Sequence, residues 1–242
     1  MKKVMLHIVG GYPSLEDSEK LILAMDKAGA GFIEIQIPFS DPVADGPVIM
    51  NANKVSLENG TKVEDCFKLM EKMSQQVETP LLFMTYFNIL HHYGVEKFCK
   101  RAKECGCYGM IVPDMPIEEE LQDDYVGLCD KYGLQAIQVI SPLTPERRLE
   151  KIAKFARGFV YCVSKYGTTG SSDGLNPKLA EYLTVVKKYI DVPLAVGFGI
   201  SNKEEIALVH QHADIAVVGS AVIKKTDQLG MGKVDEILAE LL

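Results

Sequence analysis

Positive charge is in short supply in this chain, long apolar runs are absent, and the cysteines follow no pairing pattern. Lys and Arg number 26 against 33 Asp and Glu, a formal net charge of −7. That balance leaves no basic footprint for nucleic acid or an anionic membrane. Any phosphate bound here must be held locally, by backbone amides or a few side chains. No segment approaches the length needed to span a bilayer. The opening MKKVMLHIVGG is interrupted by His7 and is followed by no small-residue cleavage site, so it reads as a first strand and not a signal peptide. Of the six cysteines, Cys105 and Cys107 flank Gly106, a spacing that matches no common zinc pattern, and Cys66, Cys99, Cys129 and Cys162 stand alone. They read as reduced structural thiols of a cytoplasmic protein. The pairs His91-His92 and His210/His212 lack metal-motif spacing, so no metal site is expected. No Gly/Ser-rich linker, charge block or low-complexity stretch divides the chain, which is expected to form one domain over 1–242.

What is present is ordinary soluble-protein material, 47% hydrophobic and 24% charged, enough for a large core. Short β-branched or apolar runs at 4–9, 32–37, 80–85, 108–112, 134–139, 158–163, 193–197 and 214–218 predict strands. Amphipathic stretches at 15–29, 61–75, 94–104, 117–131, 145–155, 176–189, 202–211 and 233–241 predict helices. Ser14 with Asp17 resembles a capping box at the first helix, and Gly29 and Gly31 bracket its end. Eight such units average about thirty residues each, the size of a βα repeat. The expected class is α/β, a closed (β/α)8 TIM barrel. Two connections are long, 38–60 after strand 2 and 164–175 after strand 6, and both follow the strand ends where barrel enzymes carry their active sites. The second, SKYGTTGSSDGL, reads as a mobile lid.

The segment Ile33–Pro47 holds the most chemistry. Side chains alternate across a strand, so Ile33, Ile35 and Ile37 face the helices while Phe32, Glu34 and Gln36 face the other way. A carboxylate at the centre of an interior face is costly to bury without a purpose. Asp45, eleven residues on, sits in a loop that could fold back over it, which suggests general acid/base chemistry. Asp45 and Asp41 could equally cap turns. After strand 7 comes Gly197-Phe198-Gly199-Ile200-Ser201, and after strand 8 Gly219-Ser220-Ala221. Loops 7 and 8 of a barrel commonly form a phosphate site from backbone N–H groups and the start of a short helix. Asp114, on the active rim, suits substrate contact or loop anchoring. Tyr86 and Tyr161 fall on strands 3 and 6, where a tyrosine commonly serves packing. His7 alternates with Met5 and Val9, could point inward, and reads more readily as a satisfied core histidine than as a substrate contact.

These residues resemble the α subunit of tryptophan synthase. The resemblance rests on GYPS (11–14), GAGFIEIQIPFSDPVADGPVI (29–49), MTYFN (84–88), VPDMP (112–116), TTG (168–170), GFGIS (197–201) and VGSAVI (218–223), in that order along nearly the whole chain. It implies a lyase of tryptophan biosynthesis that cleaves indole-3-glycerol phosphate to indole and D-glyceraldehyde 3-phosphate by a retro-aldol reaction. It further implies that Glu34 and Asp45 are the acid/base pair. Thr169, Gly170, Gly199, Gly219 and Ser220 would contact substrate and phosphate, Tyr161 would lie beside the catalytic carboxylate, and Ile49, Tyr86 and Phe198 would complete the substrate-binding set. Asp41, Pro42 and their loop would face a β subunit in an α2β2 heterotetramer. Pyridoxal phosphate would belong to that partner, and this chain would need no cofactor. Binding of the β subunit would order 38–60 and 164–175. The absence of tryptophan suits an enzyme made when that amino acid is scarce. Several positions depart from the family: the chain begins almost at strand 1 without the usual short helix, Gln36 replaces a glycine, His7 a phenylalanine and Thr168 a valine. A stand-alone indole-glycerol-phosphate lyase, or a weakly active subunit that mainly activates its partner, are the alternatives. A phosphoribosylanthranilate isomerase would not explain Glu34 and Asp45 together.

Overall fold

Eight short runs of β-branched and apolar residues pair in parallel and close on themselves in chain order, β1 to β8, as a TIM barrel. The strands are β1 (Lys3–Val9), β2 (Phe32–Gln36), β3 (Leu81–Met84), β4 (Gly109–Ile111), β5 (Gln135–Ile140), β6 (Val160–Val163), β7 (Leu194–Gly197) and β8 (Ile215–Val218). Closure is made by β8 lying beside β1, with Leu6 opposite Val218. The computed structural model describes residues 2–115, 124–163, 177–197 and 199–242. Strand alternation divides the core into two layers, as a packed barrel requires. Ile33, Ile35 and Ile37 join the outer layer against the helices. Met5, Phe32, Leu82, Ile111, Ile137 and Phe159 fill the lumen. Phe32 and Phe159 meet at 5.3 Å between ring centroids, and the Lys3 ammonium lies 4.5 Å over the Phe32 ring.

The helices begin where the sequence supplies start signals. In Leu15–Lys27 the Ser14 hydroxyl accepts from the Asp17 N–H at 3.0 Å and donates to the Asp17 carboxylate at 2.7 Å, a side-chain variant of the anticipated cap. Gly29 closes that helix at φ +85°, a conformation glycine adopts without penalty.

Three helices fall where none is predicted. The stretch 38–60 is not one long loop: Pro47–Glu58 is a helix. Gly46 is its N-cap and Pro47 occupies the first turn, where a missing N–H costs nothing. Ile49, Ala52, Asn53 and Ser56 form its buried face, at helical spacing. Phe87–Tyr93 follows β3, and Ser220–Leu229 follows β8. The predicted helix 117–131 is described only as Tyr125–Tyr132.

Candidate active site

The upper lumen carries a polar layer above the apolar one. His7 and Glu34 are register partners on adjacent strands, so their side chains point into the barrel side by side. Glu34 is 3% exposed and His7 7%. Nδ1 of His7 lies 3.0 Å from Oε2 of Glu34. Burial alone would depress the imidazole, but the Glu34 charge and hydrogen bond, with help from Asp45, outweigh it and raise the His7 pKa above its ordinary 6.5. The raised pKa favours the imidazolium form of His7 against Glu34. No partner for Nε2 of His7 exists among the described residues.

Asp45 does fold back toward Glu34, and its carboxylate does not cap a turn. Its Oδ2 accepts from Nε2 of Gln36 at 2.7 Å and from the Tyr86 hydroxyl at 2.9 Å. Burial pushes the Asp45 pKa up, opposed by the Gln36 hydrogen bond, the His7 charge and the Tyr86 hydrogen bond. Tyr86 is not on β3, which ends at Met84; it is the residue before the helix Phe87–Tyr93. Nor is it mere packing: its oxygen also accepts from the Ala44 N–H at 3.1 Å, and its ring stacks on Phe39 at 5.1 Å. Burial, and then the neighbouring Asp45, push the Tyr86 pKa far up, so the hydroxyl stays protonated and donates.

Asn53 completes the arrangement, and sequence reasoning missed it because 38–60 read as loop. It is 1% exposed on the helix Pro47–Glu58. Its Oδ1 accepts from the Phe39 N–H at 2.9 Å and from Gln36 at 3.4 Å, while its Nδ2 donates to the Ile49 carbonyl at 2.8 Å. The entry to the Asp45 segment is thus tied to a helix. The signal that could have found it is Gly46-Pro47 followed by buried positions at 49, 52, 53 and 56.

Around this centre, Tyr161 on β6 is half-buried and its hydroxyl passes so near Gly197 of β7 that any side chain there would displace it. Gly199 has φ +69°, and among the described residues a side chain there would meet nothing within 4 Å. Gly219 lies against His7, with its notional Cβ 3.3 Å from that of His7, and Ser220 opens the helix Ser220–Leu229. The start of a helix suits an anion, and here the Val222 and Ile223 N–H groups bond to the Gly219 carbonyl. Ile49 is buried with Val9, Ala52 and Ile223. Asp41 is exposed and accepts from the Ser40 hydroxyl at 2.5 Å; Pro42 is buried beside it, and Val43 is 77% exposed at the tip. Asp114 anchors structure, its Oδ1 accepting from the Phe87 N–H at 2.8 Å. Thr168, Thr169, Gly170 and Phe198, and with them the expected lid, lie outside the described residues. All six cysteines are free and buried. Among the described residues, no group of three or more His, Cys, Asp or Glu could hold a metal ion, and no helix is long and apolar enough to cross a membrane.

Residues 2–240 match the family described as Tryptophan synthase alpha chain. A curated tryptophan synthase alpha chain from Syntrophotalea carbinolica is 42% identical over 238 residues, 98% of this chain and 93% of that one. Among solved structures, a mutant tryptophan synthase alpha-subunit from Pyrococcus furiosus superposes with a TM-score of 0.89 at 31% identity, covering 99% of this chain and 97% of its own. A tryptophan synthase complex from the same organism gives 0.87 at 31% identity, covering 99% and 96%. With the match spanning nearly every residue of the barrel, the chain belongs to the tryptophan synthase alpha chain family.

Proposed function

We infer that this protein cleaves indole-3-glycerol phosphate to indole and D-glyceraldehyde 3-phosphate, as the α subunit of tryptophan synthase. The carrying observation is a buried carboxylate, Glu34, on the inner barrel wall, with a second, loop-borne carboxylate brought to it by Gln36 and Tyr86. In the retro-aldol step the bond between indole C3 and the glycerol carbon breaks. A proton leaves the adjacent hydroxyl as it becomes the aldehyde, and a proton is added at C3. We assign both transfers to Glu34, which accepts the one and supplies the other, so the enzyme ends as it began. Asp45 is assigned the indole N–H, where an anion stabilises the positive charge that develops on the ring nitrogen. Gly199, Gly219 and Ser220, with Thr169 and Gly170, are proposed to hold the phosphate; Phe198, Ile49, Tyr86 and Tyr161 are proposed to line the remainder.

We read residues 1–242 as one catalytic unit of the cytoplasm that needs no cofactor of its own. Its proposed partner is a pyridoxal-phosphate-dependent β subunit in an α2β2 assembly, docked over the Asp41–Val43 tip, of which Asp41 and Val43 are exposed. Release of glyceraldehyde 3-phosphate from indole-3-glycerol phosphate, with and without β subunit, tests the reading. Product in either condition supports the reaction, and no product in both removes it. A rate unchanged by saturating partner removes the coupling and leaves a stand-alone lyase.

A further inference from the structure

His7 is the part of the polar layer that the reaction above leaves unused. It stands one strand away from Glu34 and is as deeply buried. A histidine kept for core hydrogen bonding would satisfy both ring nitrogens. Here Nδ1 lies on Glu34, Gln36 also stands within reach of the ring, and Nε2 makes no hydrogen bond among the described residues. The other edge of the ring packs on Gly219, whose lack of a side chain leaves it room. A charged residue in this place does what an apolar ring of similar size could not: it sets a cation against one buried carboxylate, Glu34, and one half-buried carboxylate, Asp45.

We propose that His7 is a positioning residue that holds one oxygen of Glu34 against the barrel wall and serves as counter-cation for the Glu34/Asp45 pair. Its bond to Oε2 leaves the other carboxylate oxygen of Glu34 to exchange protons with substrate. Among the described residues, the groups that face it come from three sides. From β2 come Glu34 and Gln36, and beyond that strand Asp45. Tyr161 of β6 faces the same two carboxylates, and burial with their charges drives its pKa well up, so it is neutral. Gly219 beyond β8 brings no titratable side chain. The imidazolium is thus a charge that opposes protonation of Asp45 as the pH falls.

The inference rests on the retro-aldol reading above, and its test separates the two. The pH dependence of glyceraldehyde 3-phosphate release is compared for the unaltered enzyme, His7→Phe and His7→Asn. The phenylalanine keeps an aromatic ring of similar volume; the asparagine keeps a neutral donor near the Nδ1 position. Loss of a nearby opposite charge moves a carboxylate by about 1–3 pH units, so an acid limb set by Asp45 shifts upward in His7→Phe by up to that order. In His7→Asn the limb shifts likewise, while KM stays near that of the unaltered enzyme. In parallel, imidazole NMR resonances are titrated, with His7 assigned by its disappearance in His7→Phe. His7 titrates above its ordinary value in the unaltered protein and lower in Glu34→Gln. Superimposable acid limbs, or a His7 titration indifferent to Glu34→Gln, overturn the proposal. An enzyme inactive at every pH removes the retro-aldol reading instead, and the NMR titration still decides whether His7 and Glu34 are coupled.

Discussion

Replacing Tyr86 by phenylalanine isolates one oxygen atom of the site. Tyr86 is wholly buried and its ring stacks on Phe39, so phenylalanine keeps the packing and leaves no cavity of consequence. Two hydrogen bonds are lost. The Ala44 N–H loses its acceptor but sits on an exposed residue, where water replaces it. Asp45 loses a donor at 2.9 Å but keeps Gln36 at 2.7 Å. A hydrogen bond to a charged group contributes about 1.5–3 kcal/mol, and with Gln36 still in place we take the lower end. At ~1.4 kcal/mol per factor of ten, kcat/KM falls about tenfold. The sign of the pH effect follows from the same contacts. Burial raises the Asp45 pKa and the Tyr86 hydroxyl lowers it, so removing the hydroxyl raises it further. The anion is then lost at higher pH, and activity on the acid side declines first, by about one pH unit for 1.4 kcal/mol. The assay is glyceraldehyde 3-phosphate release across the acid limb, with urea unfolding as a control for the fold. An unchanged rate and limb would show that Tyr86 does not hold the Asp45 carboxylate in the working enzyme.

Asn53→Ala removes the acceptor of the Phe39 N–H and the donor to the Ile49 carbonyl, both inside the protein. It should lower stability by about 1–3 kcal/mol and reduce kcat along with it, because the Asp45 segment loses its anchor. Equal catalysis in a folded variant would count against that anchoring. Phe67 is fully buried among Phe83, Tyr93 and Phe98, with ring centroids 4.9–5.5 Å away, on the side of the barrel wall away from the site. Phe67→Ala should destabilise by about 3–5 kcal/mol in denaturant titration, with kcat of the folded fraction unaltered. A kcat that falls with stability intact would contradict this division between core and site. Gly197→Ala should reduce activity, since even a methyl group would displace the Tyr161 hydroxyl; wild-type rates in this variant would place the tyrosine outside the reacting geometry.

The parts of this fold that were legible in the sequence are those governed by a short period. Ile33, Glu34 and Ile35 declare opposite faces within three residues, and slipping the register would turn the isoleucines outward. Asp45 was visible as a carboxylate near a glutamate, though its contacts were not. The helix Pro47–Glu58 was hidden because Asp41, Pro42, Asp45, Gly46 and Pro47 crowd turn signals into seven residues, and the last two of them are a helix start. Asn53 went unseen with it. The His7–Glu34 pairing needs the registration of two strands 27 residues apart in sequence, which no local pattern encodes. Tyr86 was placed on a strand that ends two residues earlier. At that point the Thr85 N–H still bonds to the Ile111 carbonyl, so the change of direction leaves little trace in composition.

The central claim is that the carboxylate of residue 34 moves the protons of carbon–carbon cleavage. Glu34→Gln keeps the size of the side chain and its hydrogen bond to His7 while removing the exchangeable proton. Indole release by this variant, with circular dichroism and unfolding matching the unaltered protein, measures that claim directly. General acid/base catalysis contributes about 100- to 10,000-fold, so release should fall by at least the lower figure. A folded Glu34→Gln protein that produces indole within a few-fold of the unaltered rate contradicts the account.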